Sequence, residues 1–289
     1  MTHRLLPPIS IITPSLNSGQ FLEQAIQSVA RQDYPNIEHI VVDGGSTDGT
    51  LDILRQYQSV VTWISEPDQG QADALNKGFR RAKGDILGWL NADDTYQPGA
   101  AQAAAASLQA NPTIDLVYGN FNFIDEQGRI IHAHTTPEFA LEKLLYAAII
   151  PQAGMFFQRH IIDQLGGVDP TLHYVLDWEF CLRVARHYNV ERVDQTWGNF
   201  RIVRDTKSTQ QPEKFWPEVV SVIQRVLEEE THRFEPWAED AQFMANLLAG
   251  LEFARANQVA QAQKYVDRAF QFNRDRKKHP AVLVSGLFK

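Results

Sequence analysis

The run Leu87-Gly88-Trp89-Leu90-Asn91-Ala92-Asp93-Asp94 ends a short apolar stretch in two adjacent carboxylates. If that stretch is a strand of a parallel sheet, both acids arrive at the carboxyl end, where such sheets open to ligands. Neighbouring carboxylates repel each other unless a cation lies beside them. A divalent metal carrying a diphosphate would answer that need, since hard oxygens suit Mg²⁺ or Mn²⁺. An acidic first turn behind a helix cap would read the same way. The fragment alone leaves both readings open.

Three other apolar runs also end in polar clusters: Thr13-Pro14-Ser15-Leu16-Asn17, Asp43-Gly44-Gly45-Ser46-Thr47-Asp48-Gly49-Thr50 and Glu66-Pro67-Asp68-Gln69-Gly70. No Gly-x-Gly-x-x-Gly follows the first run, and no P-loop signature occurs, so a glycine loop is not the phosphate holder. His and Cys spacing of a zinc site is absent. His132 and His134 share a strand face without a visible third ligand, and read as solvated strand histidines.

The elements that position these clusters alternate. Ile9 to Ile12 reads as a buried strand, and His39 to Val42, Val60 to Ile64 and Ile86 to Leu90 read as the next three strands. Helical spacing links them at Phe21 to Val29, Leu51 to Tyr57 and Asp73 to Ala82. That rhythm predicts an α/β domain whose open, mainly parallel sheet has helices on both faces. An alanine-rich helix follows Pro98. Leu116 to Ile124 and Arg129 to His134 then form a hairpin around Asp125-Glu126-Gln127-Gly128. Helices are expected over 138–147, 159–165 and 177–188, and one or two strands over 190–203. Beyond Pro212 the pattern is helical. Phe243, Leu247, Leu248, Leu251 and Ala254 are expected to face Ala262, Tyr265, Val266, Ala269 and Phe270 across a turn near Asn257.

Taken in order, Ile11 to Asn17, Val41 to Thr50, Glu66 to Gly70, Asn76-Lys77-Gly78 and Leu90 to Asp94 resemble the family 2 glycosyltransferases. The resemblance covers about residues 9 to 205. It implies the GT-A fold over residues 1–208, with residues 209–289 a C-terminal helical extension. It also implies an inverting enzyme that takes a nucleotide-diphosphate sugar, UDP- or dTDP-linked, to an acceptor hydroxyl in polysaccharide or glycoconjugate synthesis. By family position, Asp43 would accept the imide N–H of the base, and Thr13, Pro14 and Ser15 would line base and ribose. Asn17 and Asp68 would join the donor site. The alternative for Asp43 is that it opens the Gly44-Gly45 turn. Asp48 and Thr50 fit a helix start better than ligation. Asp93, with Asn91, matches the Asp-x-Asp element, so Mn²⁺ or Mg²⁺ would fall mainly on Asp93, assisted by Asp94. Asn91 departs from the family pattern.

Inversion needs a base near the incoming hydroxyl and a stabilised leaving group. The family base is an aspartate at a helix start, and Asp177-Trp178-Glu179-Phe180-Cys181-Leu182-Arg183 resembles that segment. Residues two apart on a helix diverge by about 200°, so Asp177 and Glu179 cannot both face a cleft. Asp177 is the expected base. Trp178 reads as a sugar-stacking or a core residue. Arg201, Arg204 and Lys207 read as diphosphate ligands or as a solvated basic turn.

The bulk numbers agree with this class. The chain has 289 residues, 44% hydrophobic and 21% charged, with a net charge of −8. That charge argues against nucleic-acid binding. Cys181 is the single cysteine, so no internal disulfide is expected and a buried thiol is. Neither a signal peptide near His3 and Arg4 nor a spanning segment is expected. The expected setting is cytoplasmic, with a saccharide or lipid-linked saccharide acceptor able to draw the protein to the inner membrane face. Two other classes remain: a noncatalytic sugar-nucleotide binder or scaffold, and a sugar-1-phosphate nucleotidyltransferase. The latter needs a basic glycine-rich loop where Pro14 to Gly19 carries no basic residue.

Overall fold

The computed structural model describes residues 6–203 and 212–272. They group into two compact units, 6–139 with 149–203 and 140–148 with 212–272.

In the first unit, β1 (Ile9–Ser15), β2 (Ile37–Asp43), β3 (Thr62–Ser65) and β4 (Ile86–Trp89) pair in parallel in the order β3-β2-β1-β4. β1 is buried at every position, which is why its sequence is an apolar run rather than an alternation. Its residues still divide by parity. Ile9 and Ile11 pack with Ala25 and Val29 of α1 (Leu22–Ala30) and with Ala101, Ala104 and Ala105 of α4 (Ala100–Ala110). Ile12 faces the opposite side, against α3 (Gln71–Arg81). There a Cβ at Gly78 would lie 2.4 Å from Ile12 Cγ2, so glycine lets this helix approach the strand. Between β2 and β3, α2 (Thr50–Gln56) buries Leu54 in a cluster with Val41 and Leu22.

Past β4 the sheet changes sense. β8 (Met155–Gln158) lies antiparallel between β4 and β6 (Leu116–Ile124), and β9 (Val190–Arg201) runs parallel to β6. β5 (Thr95–Tyr96) pairs with β9, and β7 (Ile130–His134) with β6, both antiparallel. The parallel character is therefore carried by β3-β2-β1-β4 and by β6-β9. Phe156 on β8 joins the α1/α4 face, and Phe157 meets Phe79 and Phe180 on the other. Phe180 belongs to α7 (Leu176–His187), which follows the short α6 (His160–Leu165).

The second unit holds a one-turn α5 (Leu141–Leu144), where the sequence pattern suggests a longer helix, and then α8 (Pro212–Glu229), α9 (Thr231–Arg255) and α10 (Val259–Phe272). α9 and α10 form the expected hairpin, turning at Asn257 with φ 57°. Phe243, Met244 and Ala269 form its core, and Phe253 stacks on Tyr265 at 5.3 Å. Leu251 and Phe270 are 47% and 52% exposed, so the interhelical seam is narrower than the apolar pattern implies. No helix among the described residues is long and apolar enough to cross a membrane.

Candidate functional site

Strand direction decides which residues meet. Ser15 pairs with Asp43, Asp43 with Ser65, and Ile12 with Trp89, so β1 to β4 all end at one edge of the sheet. β8 is antiparallel to both β4 and β6, which brings the ends of β6 and β9 to the same edge. α7 precedes β9, and β9 starts at the far edge, where Val190 pairs with Leu116. The N-terminus of α7, with Asp177 in its first turn, therefore points to the edge where Asn91 and Asp93 lie.

The two acids after β4 part company. Asp93 is partly exposed, and no hydrogen bond from another described residue reaches its carboxylate, while its backbone carbonyl accepts Arg201 Nε–H at 2.7 Å. Burial raises the Asp93 carboxyl above its ordinary range. Asp94 is 1% exposed, and its Oδ1 accepts the Arg201 backbone N–H at 2.9 Å. Burial first, and then the charge of Asp93, push Asp94 far upward. Of these two acids, Asp94 is the one turned into the protein.

Asn91 is held in a closed ring of hydrogen bonds. The Trp89 indole donates to Asn91 Oδ1 (2.9 Å), Asn91 Nδ2–H donates to Gln152 Oε1 (2.8 Å), and Gln152 Nε2–H donates to the Trp89 carbonyl (2.6 Å). An indole N–H only donates and a carbonyl only accepts, so both amides have a forced orientation. Gln71 adds a second donor to Asn91 Oδ1 at 2.9 Å. A carboxylate at position 91 could not close this ring, which accounts for the departure from Asp-x-Asp. Gln152 carries no sequence signal of this part beyond following Pro151.

The β1 and β2 ends are less open than their polarity suggests. Thr13 is fully buried and bonded through Oγ1 to His39 Nε2 at 2.8 Å. Pro14 is buried as well, and Ser15 is 4% exposed, with an Oγ that has no partner. The carboxylate of Asp43 is buried and committed to its own turn. It accepts Gly45 N–H (3.1 Å), Ser46 N–H (3.0 Å), Ser65 Oγ–H (2.6 Å) and the Ser46 hydroxyl. As folded both of its oxygens are engaged within the fold, the contacts that a turn-opening residue makes. Asn17, with φ 50°, joins that turn by donating its N–H to Ser46 Oγ and accepting Thr47 N–H at Oδ1. Asp48 accepts Thr50 N–H and Gly19 N–H, in keeping with a helix-start residue. Asp68 is partly exposed, donates nothing and accepts Gly70 N–H at Oδ1 (2.9 Å). Its Oδ2 lies so near Gly44 that a Cβ there would come within 2.5 Å.

On α7 the two acids diverge. Asp177 is partly exposed, and its Oδ1 accepts Trp178 N–H at 2.8 Å. Burial raises its carboxyl above the ordinary range. Glu179 is 6% exposed and binds Arg183 through both oxygens at 2.9 and 3.0 Å. Arg183 also donates to the Leu165 and Gly167 carbonyls, so the pair fixes the loop before α7. Asn76 pins the same loop through Val168 N–H and C=O, both at 2.9 Å. Trp178 and Cys181 are buried, at 6% and 1% exposed.

Lys77 ties the β3 end to α3 through Glu66 (3.0 Å) and Asp73 (3.1 Å). His132 and His134 are not simply solvated: they stack with Phe121 and Phe123 on the β6–β7 face. Among the described residues no group of three or more His, Cys, Asp or Glu could hold a metal by itself. Arg201 is buried rather than a basic turn residue, and Arg204 and Lys207 lie outside the described residues.

Known proteins agree on this architecture. The family model "Glycosyl transferase family 2" matches residues 10–166, more than half of the chain. An uncharacterized glycosyltransferase of Mycobacterium tuberculosis H37Rv is 33% identical over 183 residues, covering 62% of this chain and 69% of that protein. A PGL/p-HBAD biosynthesis glycosyltransferase of Mycobacterium bovis BCG is 33% identical over 182 residues, covering 61% and 69%. In fold, the chain is similar to S. aureus TarS 1-349 in complex with UDP-GlcNAc, with TM-score 0.64, 19% identity, and 91% and 92% of the two chains covered. It is also similar to mannosyltransferase PcManGT from Pyrobaculum calidifontis in complex with GDP-Man and Mn²⁺, with TM-score 0.66, 19% identity, and 98% and 80% covered. The chain belongs to glycosyl transferase family 2, and it is a glycosyltransferase with the GT-A fold.

Proposed function

We propose that this glycosyltransferase is inverting and metal-dependent, and that it moves a sugar from a UDP- or dTDP-sugar to an acceptor hydroxyl. The observation that carries this reading is the division of carboxylates at one sheet edge. Asp93 offers a carboxylate that accepts no hydrogen bond from another described residue, and Asp177 offers one whose basicity burial has raised.

The donor nucleotide lies against the ends of β1 to β4. Asp68 is the proposed acceptor for the base. Asp43 and Asn17 shape the turn beneath it, and the β1 end from Thr13 through Pro14 to the unpartnered hydroxyl of Ser15 forms the floor. Asn91 sits on the ribose side as a neutral group. One protein carboxylate plus donor phosphates is a normal coordination set for Mg²⁺ or Mn²⁺, so the residues fit a metal that arrives with the donor. Asp93 would hold it, with Asp94 supporting from behind. When bound, the metal neutralises charge on the departing diphosphate.

Asp177 takes the proton of the acceptor hydroxyl as the oxygen bonds to the anomeric carbon. The bond from that carbon to the diphosphate oxygen breaks on the opposite face, and its electron pair leaves with the nucleoside diphosphate. A carboxylate raised by burial is a stronger base toward that proton. The proposed acceptor is a saccharide or lipid-linked saccharide, which would bring a cytoplasmic enzyme to the inner membrane face.

Asp177→Asn tests the base. Donor affinity by calorimetry should stay within about twofold while turnover falls by about 10²- to 10⁴-fold. Turnover near wild type would reject the assignment, and loss of donor binding would mean that Asp177 serves the nucleotide instead.

A further inference from the structure

Arg201 is 1% exposed, at the end of β9, yet nothing in the proposed reaction uses it. Its guanidinium makes four hydrogen bonds: Nε to the Asp93 carbonyl (2.7 Å), Nη1 to the Asp125 and Glu126 carbonyls (2.8 and 3.1 Å), and Nη2 to Gln24 Oε1 (2.8 Å). Its backbone N–H holds Asp94 Oδ1, and its plane lies over the Phe21 ring, 4.7 Å from the centroid. One side chain thus joins α1, the β6–β7 turn and the turn that carries Asp93. Lysine has the charge but not the planar fork that allows such simultaneous contacts.

We infer that Arg201 is a positioning residue that fixes the 91–94 turn, through the Asp93 carbonyl and Asp94 Oδ1, so that the Asp93 carboxylate stands ready at the sheet edge before donor and metal arrive. The arrangement accounts for two otherwise separate features. Asp94 gives Oδ1 to the Arg201 backbone N–H rather than to the edge, and Arg201 holds Asp93 by its backbone carbonyl, with no other described residue bonded to the Asp93 carboxylate. Partners outside the first shell of a metal site set ligand orientation, and their loss commonly weakens metal binding about 10- to 100-fold.

The inference rests on the proposed role of Asp93, and the test separates the two. Mn²⁺ titrations by calorimetry, with UDP present, are run on wild type, Asp93→Asn, Arg201→Lys and Gln24→Ala. UDP affinity without metal and melting temperature are recorded for each. Wild type should bind Mn²⁺ with UDP, and Asp93→Asn should lose that binding; failure of either arm counts against the Asp93 reading itself. Arg201→Lys should weaken Mn²⁺ binding by the folded protein about 10- to 100-fold, with metal-free UDP affinity within about twofold. Gln24 is exposed, so Gln24→Ala should fold normally and weaken Mn²⁺ binding in the same direction by a smaller factor. Should Arg201→Lys fail to fold, Gln24→Ala decides. Unchanged Mn²⁺ affinity in folded Arg201→Lys, or in Gln24→Ala when that variant is the decider, would overturn the inference even if melting falls.

Discussion

Replacing Asn91 with aspartate restores the acidic residue that the Asp-x-Asp pattern would place there, and the hydrogen-bond ring predicts that the change is unfavourable. In the native arrangement Nδ2 of Asn91 donates to Gln152 Oε1 at 2.8 Å. A carboxylate sets two acceptor oxygens against each other at that point. Gln152 cannot relieve the clash by turning over, because its Nε2–H is bonded to the Trp89 carbonyl and its Oε1 would then face that carbonyl. The loss is one hydrogen bond plus an acceptor pair left unsatisfied beside a residue only 6% exposed. Such a change costs about 1–3 kcal/mol, partly offset by stronger donation from Trp89 and Gln71. A cost near 2 kcal/mol corresponds to a fall in melting temperature of roughly 4–8 °C for a unit of this size. Protonating the new acid restores a donor, so the deficit should shrink as pH falls through its raised pKa. Thermal melts of wild type, Asn91→Asp, Gln152→Ala and the double variant give the coupling directly. If Asn91→Asp melts with wild type at neutral pH, or costs as much in the Gln152→Ala background, the ring does not explain the asparagine.

Two further predictions concern charges that the fold has buried. His39 is 4% exposed, and burial pulls its pKa down to about 3, whereas an unfolded histidine titrates near 6.5. The unfolded chain therefore gains a proton first, and stability drops as pH falls from about 6.5 toward 3. Denaturant melts should show wild type losing about 2 kcal/mol between pH 6.5 and 5 that His39→Gln does not lose, and parallel curves would contradict the assignment. Glu179→Ala leaves the Arg183 charge without its carboxylate partner and should destabilise by about 3 kcal/mol, with turnover per folded molecule changed far less than in Asp177→Asn. Equal losses in both variants would place Glu179 in the reaction.

β1, β2, β4 and the order of polar ends were legible because a sheet covered on both faces demands apolar runs, whereas β3 at the sheet edge is at most half-buried and begins at Thr62 rather than Val60. β8 was not, since Met155 to Gln158 is only four residues long and its antiparallel insertion depends on what lies beside it. The two-residue β5 has no period to detect. At the sheet edge, residue type gave the polar character but not the direction in which each group points. Asp43 and Asn17 spend their side chains on backbone N–H groups of the 43–47 turn, and a sequence reads the same whether such groups face a ligand or their own loop. Helix geometry showed that Asp177 and Glu179 could not both face a cleft, and motif position chose Asp177; the structure divides the two into a partly exposed acid and a buried ion pair. The roles of Gln152 and Arg201 depend on contacts across 61 and 108 positions of sequence, and no local pattern announces those.

The central claim is a single displacement at the anomeric carbon, and the stereochemistry of the released sugar tests it most directly. Water can replace the acceptor, so proton NMR can follow an α-linked UDP- or dTDP-sugar donor hydrolysed in the presence of Mn²⁺, early enough to precede mutarotation. The account predicts that the β-anomer is the first sugar seen and that Asp177→Asn releases it far more slowly. First release of the α-anomer would contradict it.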